Sequence, residues 1–171
     1  PEFKKADPNT YIKGVSIGRV KTIRPNESIL NPQFNTLSKL NCILASIEAN
    51  NLGYDEGIMN DINGNISTCN STNLFFIKNN KVLTSNGKYC LNGITRSKAI
   101  SICHNNQINC SETNFTFDDI MDSDEAFVTG TFAGIIPVSH LEGRKLKSTN
   151  TDSLVNKIRF LYNKEIQDYL G

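Results

Sequence analysis

The chain has 171 residues, enough for one domain with a substantial core and little more. Eighteen Lys and Arg stand against seventeen Asp and Glu, a net charge of +1, so composition offers no electrostatic case for a nucleic-acid or membrane-surface partner. No apolar run approaches the roughly 20 residues that cross a bilayer, and Pro1 to Pro8 is polar rather than a signal peptide, so the expectation is a cytoplasmic protein with no membrane partner.

Pro1-Glu2-Phe3 reads as a cloning remnant and residues 4–171 as a single domain. Tyr11 to Ile23 alternates apolar and other residues through Val15 and Ile17, which predicts a strand interrupted by glycines and ended by Arg24-Pro25-Asn26. From Thr36 to Leu52, Leu37, Leu40, Ile43, Leu44 and Ile47 recur at helical spacing, which predicts a helix with that face buried. Glu56–Asp61 and Ile66–Cys69 flank Asn63-Gly64, a hairpin signal, because Asn-Gly readily takes the positive φ angles of a tight turn. Leu74–Ile77 and Lys81–Thr84 repeat the arrangement around Asn79-Asn80.

Gly93-Ile94-Thr95-Arg96 opens a helix to about Cys103, with Ile94, Ala99, Ile100 and Cys103 inward. Gln107 to Phe115 reads as a strand, and Thr116-Phe117-Asp118-Asp119 as a capped first helical turn. Glu125 to Thr131 and Ile135 to Val138 read as strands. A last helix, about Asp152 to Leu170, places Leu154, Ile158, Leu161, Tyr162, Ile166 and Tyr169 on one side. Hairpins with segregated helices make an α+β domain on a mostly antiparallel sheet.

Five widely spaced cysteines form no CxxC pair or zinc-ligand spacing, so free thiols and no metal site are expected. His104 and His140 lack neighbours at ligand spacing and read as structural or exposed. Cys69 reads as a packed strand residue.

The order of four blocks is more specific than any one of them. They are Gly53-Tyr54-Asp55-Glu56-Gly57 leading to Ile66-Ser67-Thr68-Cys69-Asn70-Ser71-Thr72-Asn73-Leu74-Phe75, then Gly93-Ile94-Thr95-Arg96, then Asp124 to Thr131, then Ile136-Pro137-Val138. This series resembles the class IV, or fold-type IV, aminotransferases, which include branched-chain and D-amino-acid aminotransferases and aminodeoxychorismate lyase. The resemblance implies the large C-terminal domain of that fold, a pseudobarrel with flanking helices, and pyridoxal 5'-phosphate as cofactor. It further implies amino acid and 2-oxo acid substrates, and a homodimer at full length. By resemblance Gly93, Ile94, Thr95, Gly130 and Thr131 form the phosphate cup, which suits a glycine that admits close approach and free N–H groups at a helix start.

Two positions depart from the family. Counting thirteen or fourteen residues back from Glu48 lands on Asn35 or Phe34, and the D-amino-acid aminotransferase and lyase patterns place the cofactor-binding lysine at Asn35. A carboxamide has no nucleophilic amine and no useful pKa, so it can neither anchor the cofactor nor shuttle a proton. Lys39, one helical turn on, has its root displaced by about 5 Å and reads as an exposed helix lysine. Thr68 stands where the family carries the glutamate that pairs with the ring nitrogen; it can hydrogen-bond there but brings no opposite charge. The family's small N-terminal domain, with its phosphate-binding arginine, has no counterpart in the chain. The expectation is therefore an inactive piece of a transaminase, or a non-catalytic binding or structural module derived from the same fold.

Overall fold

The computed structural model describes residues 6–170, so the expected cloning remnant at Pro1-Glu2-Phe3 lies outside the described residues. Asp7 caps a first short helix, α1 (Pro8–Lys13), its carboxylate accepting from the Asn9 N–H at 2.9 Å. Tyr11, Ile12 and Lys13 thus end a helix and do not begin the first strand as their alternation predicted. A proline in the first turn with an Asp before it outweighs so short a period-two pattern. Gly14, at φ +71°, then turns the chain into β1 (Val15–Arg19).

The helix predicted from Thr36 is α2 (Leu40–Asn51), and its orientation reverses the expected one. Leu37 is 101% exposed, Leu40 66%, and Ile43, Leu44 and Ile47 about half. Ala45 and Ala49 are instead fully buried and pack with Val20 and Met59. The cause is close approach: a Cβ at Gly57 would stand 3.1 Å from the Ala45 carbonyl oxygen and 3.2 Å from Ala49 Cβ. Small residues one turn apart set the helix backbone against the strand, and the large apolar stripe is left facing outward.

Two hairpins follow. β2 (Glu56–Asn60) and β3 (Ile66–Cys69) pair antiparallel around Gly64, at φ +85°. The Asp61 carboxylate accepts from the N–H groups of Asn63 and Asn65 at 2.8 and 3.0 Å, which organises the turn. β4 (Asn73–Lys78) and β5 (Lys81–Thr84) pair antiparallel around Asn79 and Asn80, at φ 50° and 58°, the two positive values a tight hairpin turn requires.

α3 (Ile94–Asn105) buries Ala99, Ile100 and Cys103 as predicted, but Ile94 is 80% exposed. Gln107, at φ 57°, reverses the chain, and the strand expected from there shrinks to β6 (Cys110–Glu112). Thr116 and Asp119 form a reciprocal capping box on α4 (Phe117–Ile120). β7 (Glu125–Gly130), β8 (Gly134–Leu141) and β9 (Arg144–Lys145) complete the strands. The final helix is α5 (Leu154–Leu170), whose start is held by the Glu125 carboxylate, accepting from the N–H groups of Leu154 and Val155 at 3.1 and 2.9 Å. Val155 and Ile158 are buried, whereas Tyr169 is 91% exposed and Ile166 is exposed too, so the expected inward face stops short of the helix end.

The strands form one mixed sheet in the order β3-β2-β1-β8-β7-β4-β5-β6, with β9 on β8. Antiparallel pairings predominate; β1–β2, β1–β8 and β5–β6 are parallel. The result is the α+β architecture expected, a curled sheet with flanking helices. β4 and β7 lie near its centre and are buried on both faces. Leu74, Phe76 and Val128 point to one core with Phe115, Phe117 and Ile120. Phe75, Ile77 and Phe127 point to the other, beneath α3 and α5. That double burial explains why Leu74 to Ile77 is an unbroken apolar run. No helix among the described residues is long and apolar enough to cross a membrane.

Candidate active site: a cleft beside an uncapped helix start

A cleft of about 430 Å³ opens where the end of β3, the turn before β4, the start of α3, the end of β7 and the first turns of α2 converge. Thr68, Gly93, Ile94, Thr95, Gly130 and Thr131, separated by up to sixty-three positions in sequence, all line it. Asn35 does not. It is exposed on the segment before α2, and its Oδ1 accepts a hydrogen bond from Lys39 Nζ at 2.9 Å. Lys39 is exposed as expected, but it also lines the cleft.

One end of the cleft has features that suit an anion. Gly93 is the N-cap of α3 in an extended conformation (φ −64°, ψ 148°), with no side chain capping the helix. The first-turn N–H groups therefore lack the usual side-chain acceptor. A Cβ at Gly93 would come within 2.8 Å of Asn73 Oδ1, so only glycine lets the turn sit this close to β4. Asn73 is itself fixed, its Nδ2 donating to the Leu91 carbonyl at 2.9 Å. Beside this turn, the buried Thr129 hydroxyl has no hydrogen-bond partner, and neither has the buried Nε of Arg96. Native structures rarely leave such groups unsatisfied. Arg96 Nη2 is engaged with the Ser85 carbonyl at 2.7 Å and the Glu112 carboxylate at 2.6 Å, so its charge is already partnered. An uncapped helix start, an orphaned buried hydroxyl and a glycine approach together fit a phosphate. Thr129 was not singled out from sequence, since it reads as a strand residue; its signal was its place in the Thr129-Gly130-Thr131 block.

The opposite wall is a hydrogen-bonded turn. Thr68 Oγ1 donates to the Thr72 carbonyl at 2.6 Å, and the Asn70 carboxamide oxygen accepts from the Gly57 N–H at 2.7 Å. Glu56 holds the turn from behind, its carboxylate accepting from Ser71 Oγ and Thr72 Oγ1, both at 2.7 Å. Cys69 packs into the core, as expected, and burial pushes its thiol well above the ordinary range.

Burial also raises the Glu56 carboxyl, opposed by its hydrogen bonds from Ser71 and Thr72. A carboxyl raised on folding binds its proton more tightly in the folded than in the unfolded chain. Stability is therefore lost as pH climbs from the ordinary carboxylate range through the raised folded value. Glu56→Gln is expected to remove that loss, so its stability relative to wild type should improve as pH rises. Urea unfolding between about pH 4 and 8 checks this, and a difference independent of pH would refute it.

The sequence profile of amino-transferase class IV matches residues 2–141. The chain is 30% identical over 151 residues to branched-chain-amino-acid aminotransferase-like protein 2 of Arabidopsis thaliana, covering 88% of this chain and 27% of that protein. It is 32% identical over 123 residues to the branched-chain-amino-acid aminotransferase of Pseudomonas aeruginosa, covering 72% of this chain and 40% of that one. The crystal structure of the branched-chain aminotransferase of Thermoproteus uzoniensis with norvaline superposes with a TM-score of 0.84 at 30% identity, over 95% of this chain and 53% of that one. Another branched-chain amino acid aminotransferase, solved with pyridoxamine 5'-phosphate, gives 0.85 at 25% identity, over 92% and 53%. The chain thus spans about half or less of each of these relatives. Pyridoxal phosphate is the family's cofactor, and neighbouring folds are solved with its aldehyde and amine forms bound. With the profile matching most of its length and its fold superposing on that of a family member, the chain belongs to the class IV amino-transferases.

Proposed function

We propose that this chain is the cofactor-binding portion of a pyridoxal-phosphate-dependent aminotransferase of the branched-chain kind, and that as it stands it holds the cofactor's phosphate without transferring amino groups. The observation that carries the reading is the orphaned Thr129 hydroxyl beside the uncapped start of α3. When bound, pyridoxal phosphate supplies an electron sink for the α-carbon of an amino acid.

The chain's own residues do the rest. The backbone N–H groups of Ile94 and Thr95 and the hydroxyls of Thr129 and Thr131 donate to phosphate oxygens, and the α3 dipole favours the negative charge there. Thr68, whose proton is committed to Thr72, offers only lone pairs to the cleft. It accepts a hydrogen bond from a protonated ring nitrogen but supplies no charge to keep that proton in place. Asn35 neither attaches the cofactor nor moves a proton near neutral pH. In the parent, an amino acid and a 2-oxo acid would be the substrates. A second subunit or the remainder of the parent would cover the outward apolar stripe of α2.

A second reading, a non-catalytic binding module, is favoured by the local hydrogen bonds that already occupy Asn35 and Thr68. Calorimetric titration with pyridoxamine phosphate and with pyridoxamine tests the shared part: only the phosphorylated ligand should bind, and equal binding of both would refute the cup. Turnover of a branched-chain amino acid by the full parent carrying Asn35→Lys, absent without it, supports the enzyme reading; no gain supports the module.

A further inference from the structure

We infer that Lys39 is an amine site of the cleft, one that forms a reversible imine with an aromatic aldehyde held through its phosphate at the other end. The inference rests on the anion-cup reading above and adds to it the residue that meets the ligand's carbonyl.

Lys39 is the one lysine among the described residues that line the cleft; the other cations on its wall, Arg24 and Arg96, are guanidiniums and cannot act as amine nucleophiles. The Arg24 guanidinium is turned to local partners, Tyr89 and Pro32 carbonyls and Cys42 Sγ. Lys39 stands immediately before α2, on the same wall as Cys42, Ile43 and Ser46, facing a space shared with Thr95 and Thr131. Its Nζ reaches back one turn to Asn35 Oδ1 at 2.9 Å, off the cleft, and leaves that neutral partner to meet a ligand in the cleft that Lys39 lines. Asn35 accepts one of the amine's hydrogens without charge, leaving Lys39 free of any carboxylate within ion-pair distance among the described residues.

The step is a condensation. The neutral Lys39 amine adds to the aldehyde carbon, a C–N bond forms, the carbonyl C–O bond breaks, and the oxygen leaves as water carrying both amine hydrogens. No electrons are exchanged, and the reverse reaction is hydrolysis.

The test uses the chain as it exists, with pyridoxal phosphate as probe. After borohydride reduction, peptide mapping is expected to find the adduct concentrated on Lys39, saturable, and suppressed by excess inorganic phosphate. Lys39→Met, at an exposed position that leaves the fold intact, should lose that adduct and the accompanying visible absorbance. Labelling spread over surface lysines such as Lys88 and Lys98, or equal labelling of Lys39 by pyridoxal without phosphate, would overturn the inference. Pyridoxamine phosphate, which has no aldehyde, separates the two readings. If it binds and Lys39 stays unlabelled, the cup stands and the inference falls; if it does not bind and Lys39 is unlabelled, both fall.

Discussion

Replacing Thr131 by aspartate is expected to weaken binding of phosphate-bearing ligands while leaving the fold unchanged. Thr131 is exposed at the rim of the cleft, directly after β7, so the substitution removes no packing. It sets a carboxylate in the cleft that Gly93, Thr95 and Thr129 also line, where the proposed phosphate would sit. Two like unit charges about 4 Å apart repel by about 1 kcal/mol in a fully aqueous setting and about 4 kcal/mol at a partly screened protein surface. Affinity for pyridoxamine phosphate should therefore fall by about sixfold at the least and about a thousandfold at the most. Titration calorimetry reads the affinity and circular dichroism the fold. Unchanged affinity in a folded Thr131→Asp protein would remove Thr131 from the cup.

Phe75→Ala should cause the largest loss of stability. Phe75 and Phe127 are fully buried, face each other across the β4–β7 pair, and stack with ring centroids 4.6 Å apart and planes 6° from parallel. Truncation removes the transfer free energy of a phenyl ring and leaves a cavity between the sheet and α3, a cost of about 3–5 kcal/mol. Domains of this size have total stabilities of about 5–15 kcal/mol, so urea denaturation should show a large fall in midpoint with little change in slope. Leu37→Ser is the contrasting case. Its side chain is fully exposed, and the expected change is within about 0.5 kcal/mol. A loss comparable to that of Phe75→Ala would mean that the segment leading into α2 is buried in solution, in a self-associated form.

That Thr68, Gly93, Ile94, Thr95, Gly130 and Thr131 belong together was legible residue by residue, and they line one cleft. A glycine, a threonine at a helix start and a Gly-Thr turn announce free N–H groups and close approach wherever they occur, and the ordered series of blocks placed them in one family. The two hairpins were legible for the same reason, although of the two only Asn79-Asn80 takes both positive angles; between β2 and β3 Gly64 alone does, in a longer turn. Thr129 was not, because a hydroxyl on a strand acquires meaning only when its hydrogen-bond partner proves to be missing.

By itself, the sequence determined the α+β class and the two hairpins and named six residues that prove to share one cleft, all from residue type and short-range spacing. Only the tertiary structure decided which face of α2 is buried and that Lys39, not Asn35, lines the cleft. Periodicity states that Leu37, Leu40, Ile43, Leu44 and Ile47 share a side, but not what lies against it. The close approach of Gly57 to Ala45 and Ala49 turns that side outward, and the same placement of α2 brings Lys39 to the wall of the cleft beside Asn35.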